Sequence, residues 1–206
     1  VDMFDKLETI GVNAFSGCIS LENLHIPNSL INVEYYAFSN CNRFDIYVDD
    51  IRVLTNIQYP ENNAIEASIM NYAKNLYIDG VLTTELIIPD DVTSIAYCAF
   101  FGGKSITNVT FGKSTQSIGV GAFCETGLTE LTLPDTITSI GEYAFRNCKD
   151  LRKITFGGGV DTLSYELFDD CTSLENIVWH NNIKHIGDKA FYGCQGLKEL
   201  IIPENM

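Results

Sequence analysis

The stretch IGEYAFRNCKDL, Ile140 to Leu151, is written again at Ile186 to Leu197 as IGDKAFYGCQGL, with Ile, Gly, Ala, Phe, Cys and Leu at the same offsets. Related phrases begin at Ile10, Val33, Ile95, Ile118 and Leu163, making seven copies. Neighbouring copies stand 23 residues apart, with two exceptions. The copy at Ile118 is one residue short around Cys124 to Gly127, and 62 residues separate Val33 from Ile95. A unit of this size cannot bury an apolar face by itself. A fixed period of this length therefore requires the copies to stack, so that each apolar position becomes a continuous column through a solenoid.

After each phrase comes a second one: LENLHIP at Leu21 to Pro27, LTELTLP at Leu128 to Pro134, LRKITFG at Leu151 to Gly157, LENIVWH at Leu174 to His180 and LKELIIP at Leu197 to Pro203. Its alternation of apolar and polar residues, bounded by Pro or Gly, has the period of a half-buried strand. Each repeat is expected to contribute one short strand. The columns follow directly. Phe15, Phe38, Phe100, Phe123, Phe145, Phe168 and Phe191 make an aromatic spine, with Ala14, Ala37, Ala99, Ala122, Ala144 and Ala190 leaving room beside it. Leu24, Val109, Leu131, Ile154, Ile177 and Leu200 point inward on the strands, joined two residues later by Ile26, Phe111, Leu133, Phe156, Trp179 and Ile202. Gly11, Gly119, Gly141 and Gly187 stand where a β-carbon would crowd the turn into the next segment, although Glu34, Ala96 and Ser164 replace Gly in three copies.

The composite pattern, L-x-x-L-x-L-P, an apolar pair three apart, then I-G-x-x-A-F-x-x-C, resembles the BspA-type bacterial leucine-rich repeat over nearly the whole chain. The pattern lacks the Asn or Cys that follows the last strand Leu in the better-known repeat, so short turns are expected in place of a smooth helical horseshoe. The resemblance implies an α/β repeat solenoid: a leucine-rich-repeat right-handed superhelix of 23-residue repeats, strand-rich, with short turns or 3₁₀ segments and one insertion of a helix with a hairpin. It also implies a surface or secreted bacterial protein, of the kind associated with adhesion to host matrix proteins or other cells.

Residues 1–206 read as a single leucine-rich-repeat domain cut within repeats at both ends, with residues 49–85 inserted between repeats. Around the insertion, FDIYVDDI (Phe44 to Ile51) alternates like a strand. ENNAIEASIMNYA (Glu61 to Ala73) places Ile65, Ile69, Tyr72 and Ala73 on one face of a short helix, and LYIDGVLTTELIIP (Leu76 to Pro89) sets two strands around Asp79-Gly80, a favoured type I′ hairpin signal. The whole segment reads as a decoration covering the solenoid's flank. At the ends, Val1, Met3 and Leu7 align with Leu24, Ile26 and Leu30, which suggests a longer parent. Open edge strands at Val1 to Met3 and Leu200 to Ile202 suggest end-to-end self-association.

Five of the seven cysteines, Cys18, Cys41, Cys148, Cys171 and Cys194, share one column three residues after the Phe, while Cys98 and Cys124 stand off it. Adjacent rungs lie about 4.7–4.9 Å apart, within disulfide reach by distance alone. Stacked side chains point the same way into the core, however, where a free Cys acts as a small hydrophobe, and the resemblance implies thiols.

Chemistry is sparse. The histidines, His25, His180 and His185, lie in no metal-binding spacing, and the acid pairs Asp49-Asp50, Asp90-Asp91 and Asp169-Asp170 have no calcium-loop pattern around them. No nucleophile motif or phosphate loop occurs, so neither an enzyme nor a cofactor is expected. The formal net charge of −14 repels nucleic acid and anionic lipid, and no apolar run is long enough for membrane insertion. What remains is an extended surface. On the outward strand positions, Asn108, Glu130, Lys153 and Asn176 continue a polar stripe that includes Asn23, Glu85 and Glu199. Thr110, Thr132, Thr155 and Val178 continue a largely β-branched one that includes His25, Ile87 and Ile201. These residues are the candidate binding face for a protein or glycan ligand on host or neighbouring cells. A row of tyrosines before Ala-Phe, Tyr35, Tyr36, Tyr97, Tyr143 and Tyr165, is a second candidate, and a spacer within a larger surface protein is the alternative function.

Overall fold

The computed structural model describes residues 6–60 and 67–202. In chain order the strands are β1 (Thr9–Ile10), β2 (Asn23–Ile26), β3 (Asn32–Val33), β4 (Phe44–Val48), β5 (Ala73–Ile78), β6 (Val81–Leu82), β7 (Glu85–Ile87) and β8 (Ser94–Ile95). They continue as β9 (Asn108–Thr110), β10 (Ser117–Ile118), β11 (Glu130–Thr132), β12 (Ser139–Ile140), β13 (Lys153–Thr155), β14 (Thr162–Leu163), β15 (Asn176–Val178) and β16 (His185–Ile186). A five-residue helix, α1 (Arg52–Asn56), and a 3₁₀ turn at Ile69–Tyr72 complete the described elements. The chain is a strand-rich solenoid of stacked rungs.

Each full rung carries two strands, not one. The longer strands pair in parallel, in register and one period apart: β7 with β9, β11 with β13, and β13 with β15, so that Leu131 faces Ile154 and Ile154 faces Ile177. The two-residue strands form a second parallel column, β1 with β3, β8 with β10, β10 with β12, and β14 with β16. The long column is interrupted between β9 and β11, at the rung that follows the copy one residue short, where the Thr129 N–H donates to the Thr107 carbonyl at 3.0 Å.

The A-F phrase is a third bonded column, made of turns. The Phe N–H donates to the carbonyl of the residue before the next Phe: Phe100 to Ala122 and Phe123 to Ala144, both 2.8 Å, and Phe145 to Leu167, 3.1 Å. Two residues four apart in each phrase take positive φ, for example Tyr143 (59°) with Asn147 (58°), and Glu166 (49°) with Asp170 (56°). Left-handed backbone every fourth residue prevents a helix and turns alternate N–H groups outward to the neighbouring rung. Single left-handed positions of this kind are taken most readily by Gly, Asn and Asp, which occupy the second position at Gly17, Asn40, Gly102, Asn147, Asp170 and Gly193.

The core is the set of columns. Phe38, Phe100, Phe123, Phe145 and Phe168 are fully buried, and neighbouring rings stack at 5.2–5.5 Å between Phe100 and Phe191. Phe44 and Tyr72 extend the stack beyond Phe38 where the period breaks. Ala37, Ala99, Ala122, Ala144 and Ala190 are buried, whereas Ala14 and Phe15, in the first phrase, are exposed. A β-carbon at Gly119 would stand 2.7 Å from the Ala96 backbone, and one at Gly141 would meet Val120. The glycine is therefore dictated by close approach to the preceding rung. Ser164 replaces it where the short column breaks between β12 and β14, and its hydroxyl donates to the Ile140 carbonyl in place of the backbone bond.

The segment after Val33 supplies rungs and does not lie on the flank. β4 pairs with β2, Leu24 facing Ile46, and β5 pairs with β4, Ile46 facing Leu76. β5 then turns back through Asp79 (φ 49°) and Gly80 (φ 73°) into β6, the hairpin expected from the sequence. In the short column, Gln58 bridges Asn32, and the Thr55 carbonyl accepts from the Ala96 N–H at 2.9 Å, so α1 and the residues after it fill the place of a missing strand. The helix expected over Glu61 to Ala73 lies partly outside the described residues. Within them, Ile69–Tyr72 is a 3₁₀ turn and Ala73 opens β5.

At the ends, one expectation is revised and the other is untested. Val1 to Met3 lie outside the described residues. Among the described residues Leu200 to Ile202 form no strand, and Leu200, Ile201 and Ile202 are 48%, 73% and 53% exposed.

Candidate binding face

Side chains alternate across a strand, so rungs in register present outward residues as rows. Glu130, Lys153 and Asn176 make one such row and Thr132, Thr155 and Val178 the next, on the three-stranded sheet β11–β13–β15. Asn108 and Thr110 continue both rows on β9, where Glu85 and Ile87 precede them on β7. All eight candidate residues thus stand on the outer face. Thr155 is half-buried and the other seven are exposed.

The rows continue across residues that the linear pattern did not include. On the sheet β2–β4–β5, Asn23 faces Asp45 and Asp45 faces Asn75; His25 faces Tyr47 and Tyr47 faces Tyr77. The three rings stack, with centroids 4.6 Å apart at each step and planes within 10°. The Asn75 side-chain amide donates to Asp45 Oδ1 at 2.8 Å. The signal was present in FDIYV and NLYID, which carry the strand alternation, but the break in the period hid their register with LENLHIP.

The tyrosine row at the turns is partly assembled. Tyr143 and Tyr165 meet edge to face at 5.5 Å, with Arg146 above the first ring and Lys189 above the second. These cations serve two buried carboxylates. Lys189 Nζ lies 3.0 Å from Glu166 Oε1, and Arg146 Nε lies 2.9 Å from Asp169 Oδ2. The Tyr165 hydroxyl and Lys189 hold the Glu166 carboxyl below its ordinary range, whereas burial pushes Asp169 up, countered in part by Arg146. Asp169 Oδ1 is buried without a hydrogen-bond partner. The arrangement locks three successive rungs together at one corner.

Cysteines have a structural role that spacing alone did not reveal. The thiols of Cys41, Cys148, Cys171 and Cys194 donate to the carbonyls of Phe15, Phe123, Phe145 and Phe168 in the preceding rung, at 3.1–3.2 Å. All seven cysteines are free. At Thr126, which takes the place of Cys in the short copy, the hydroxyl bonds the Phe123 carbonyl of its own rung at 2.8 Å. Burial pushes the Cys98 thiol up to about 12. Among the described residues no group of three His, Cys, Asp or Glu is placed to hold a metal ion, and no helix is long and apolar enough to cross a membrane.

The BspA type leucine rich repeat region matches in six copies over residues 1–66 and 72–198. Solved structures give the same fold at low identity. A leucine-rich repeat protein from Eubacterium ventriosum is 22% identical, covers 95% of this chain and 64% of its own, and superposes with a TM-score of 0.59. One from Bacteroides ovatus is 20% identical over 94% of this chain and 57% of its own, TM-score 0.55, and the T. pallidum leucine rich repeat protein is 21% identical over 87% and 79%, TM-score 0.54. The chain thus spans less than two thirds of the length of the first two. No curated protein matches it. Six matched repeats covering most of the chain, on a solenoid whose spine, thiol column and paired strands follow the repeat, establish that this protein belongs to the BspA-type leucine-rich-repeat family.

Proposed function

We propose that this protein is a non-enzymatic, cell-surface or secreted repeat protein that binds a protein or glycan ligand on host or neighbouring cells through its strand face. One observation carries the reading: Asn108, Thr110, Glu130, Thr132, Lys153, Thr155, Asn176 and Val178 stand in two outward rows on successive rungs, an extended surface of the kind through which solenoids bind. In this reading residues 1–206 act as one repeat domain and 49–85 as its insertion. The net charge of −14 argues for a protein or glycan over nucleic acid.

The test is binding of the chain to arrayed matrix proteins and glycans beside the variant Thr110→Lys, Thr132→Lys, Thr155→Lys. Binding lost in a variant with unchanged circular dichroism supports recognition through this face. Binding retained at full strength moves the site elsewhere, and silence across the array in both proteins favours a spacer.

A further inference from the structure

The outward row that is threonine on β9, β11 and β13 is aromatic on β2, β4 and β5. β-Propensity does not demand this, because Thr satisfies it in the same row. The ring centroids of His25, Tyr47 and Tyr77 are 4.6 Å apart, more than the carbon contact distance of about 3.5–4.0 Å, so the rings are slipped and each leaves part of a face uncovered. His25 is exposed, and Tyr47 and Tyr77 are half-buried.

The row is bordered by acid on both sides. Asp45 precedes Tyr47 on the outer face, Asp49 follows it, and Asp79 follows Tyr77. Asp49 and Asp79 end neighbouring strands whose last pair is Val48 with Ile78, and the Asp79 N–H donates to the Val48 carbonyl at 3.0 Å, so both acids stand at the same end of the row. Among the described residues none of the three carboxylates forms an ion pair. Asp79 has a local reason to be there, since its φ of 49° belongs to the hairpin turn; that reason does not extend to Asp49. Arg43, just before β4, and Lys74, on β5, stand at the opposite end of the row, and Arg43 Nη1 donates to the Ala73 carbonyl at 2.9 Å.

Resting on the strand-face reading above, we propose that His25, Tyr47 and Tyr77, with Asp45, Asp49 and Asp79 beside them, form a seat for arginine side chains of a basic protein segment. A guanidinium is planar, stacks on an aromatic face and pairs with carboxylates through parallel donors; a lysine ammonium does only the last of these, as a point charge. The acids at the borders of the row attract a cation, and the chain's overall negative field steers basic partners toward it. A neutral glycan stacks on the rings but leaves the carboxylates without a counter-charge.

The experiment measures fluorescence anisotropy of a labelled peptide alternating glycine and arginine, with glycine–lysine and glycine–glutamate counterparts and a panel of neutral oligosaccharides. Two double variants are compared: Tyr47→Thr with Tyr77→Thr, which installs the residue the same row carries elsewhere, and Asp49→Asn with Asp79→Asn. Unchanged circular dichroism controls for folding. The arginine peptide is expected to bind more tightly than the lysine peptide, and the tyrosine variant to weaken it about 10-fold or more, as loss of two stacked cation contacts implies. The asparagine variant is expected to remove the salt dependence. Equal binding of arginine and lysine peptides, or binding indifferent to the tyrosine variant, overturns the proposal, as does preference for a neutral oligosaccharide. If matrix binding is abolished by the Thr110, Thr132 and Thr155 changes but untouched by the tyrosine variant, this seat fails while strand-face recognition stands. Failure of every variant to alter binding sinks both.

Discussion

Truncating one ring of the spine should cost an amount set by its place in the stack. Phe145 is fully buried and stacks on Phe123 at 5.5 Å and Phe168 at 5.4 Å. Phe15 is 40% exposed and stacks on one ring, Phe38, at 5.3 Å. Phe145→Ala removes all of a buried side chain and opens a cavity that rungs on both sides, held by backbone bonds, collapse into poorly, so it should cost about 3–5 kcal/mol. Phe15→Ala exposes less new surface, leaves no enclosed void and forfeits one stacked contact, so about 1–2 kcal/mol is expected. The comparison is made by urea denaturation, followed by far-UV circular dichroism for the whole solenoid and by the fluorescence of Trp179, the single tryptophan, which stacks on Phe156 at 5.7 Å. A loss at Phe15 equal to or above that at Phe145, or a loss at Phe145 below about 1 kcal/mol, would refute the claim that the spine is one continuous column whose energy is summed between neighbours.

Gly119→Ala should destabilise by about 1–3 kcal/mol, because its β-carbon would stand 2.7 Å from the Ala96 backbone, whereas Gly11→Ala, with nothing within 4 Å among the described residues, should be neutral or slightly stabilising; thermal melts that rank them the other way contradict the close-approach account. Thiol reagents at about pH 8 should label exposed Cys18 in the native protein and leave Cys98 and Cys171 until denaturant is added, since burial raises the Cys98 thiol, and the interaction of Cys171 with Cys148 together with burial raises the Cys171 thiol, which keeps both thiolates scarce. Peptide mapping that finds rapid native labelling at either would overturn this. Glu166, held below its ordinary range, contributes stability that is present above its unfolded-state pKa and is lost as pH falls through the folded one. Wild type should therefore lose more stability than Glu166→Gln between about pH 5 and pH 3, and parallel pH profiles would show that the Tyr165–Lys189–Glu166 contact contributes nothing.

The seven-fold phrase determined the stacking, the spine and the strand face, because a column exists wherever copies set the same residue at the same offset, as Phe100, Phe123, Phe145 and Phe168 do. The second left-handed residue of each pair is marked in six of the seven copies by Gly, Asn or Asp two residues after the Phe. Three features were decided by the tertiary structure. The Ser-Ile strands of the second column, β8, β10 and β12, are two residues long, too short for any period to appear. The thiol bonds of the cysteine column depend on the carbonyl of the rung before. The continuation of the outward rows through Asp45, Tyr47, Asn75 and Tyr77 depends on β4 and β5 joining β2 across the one place where the repeat is broken. Within a regular array, side-chain identity carries the register from copy to copy. Where the period fails, register passes to backbone N–H and C=O groups, which every residue presents alike, so it can be read only once the chain is folded.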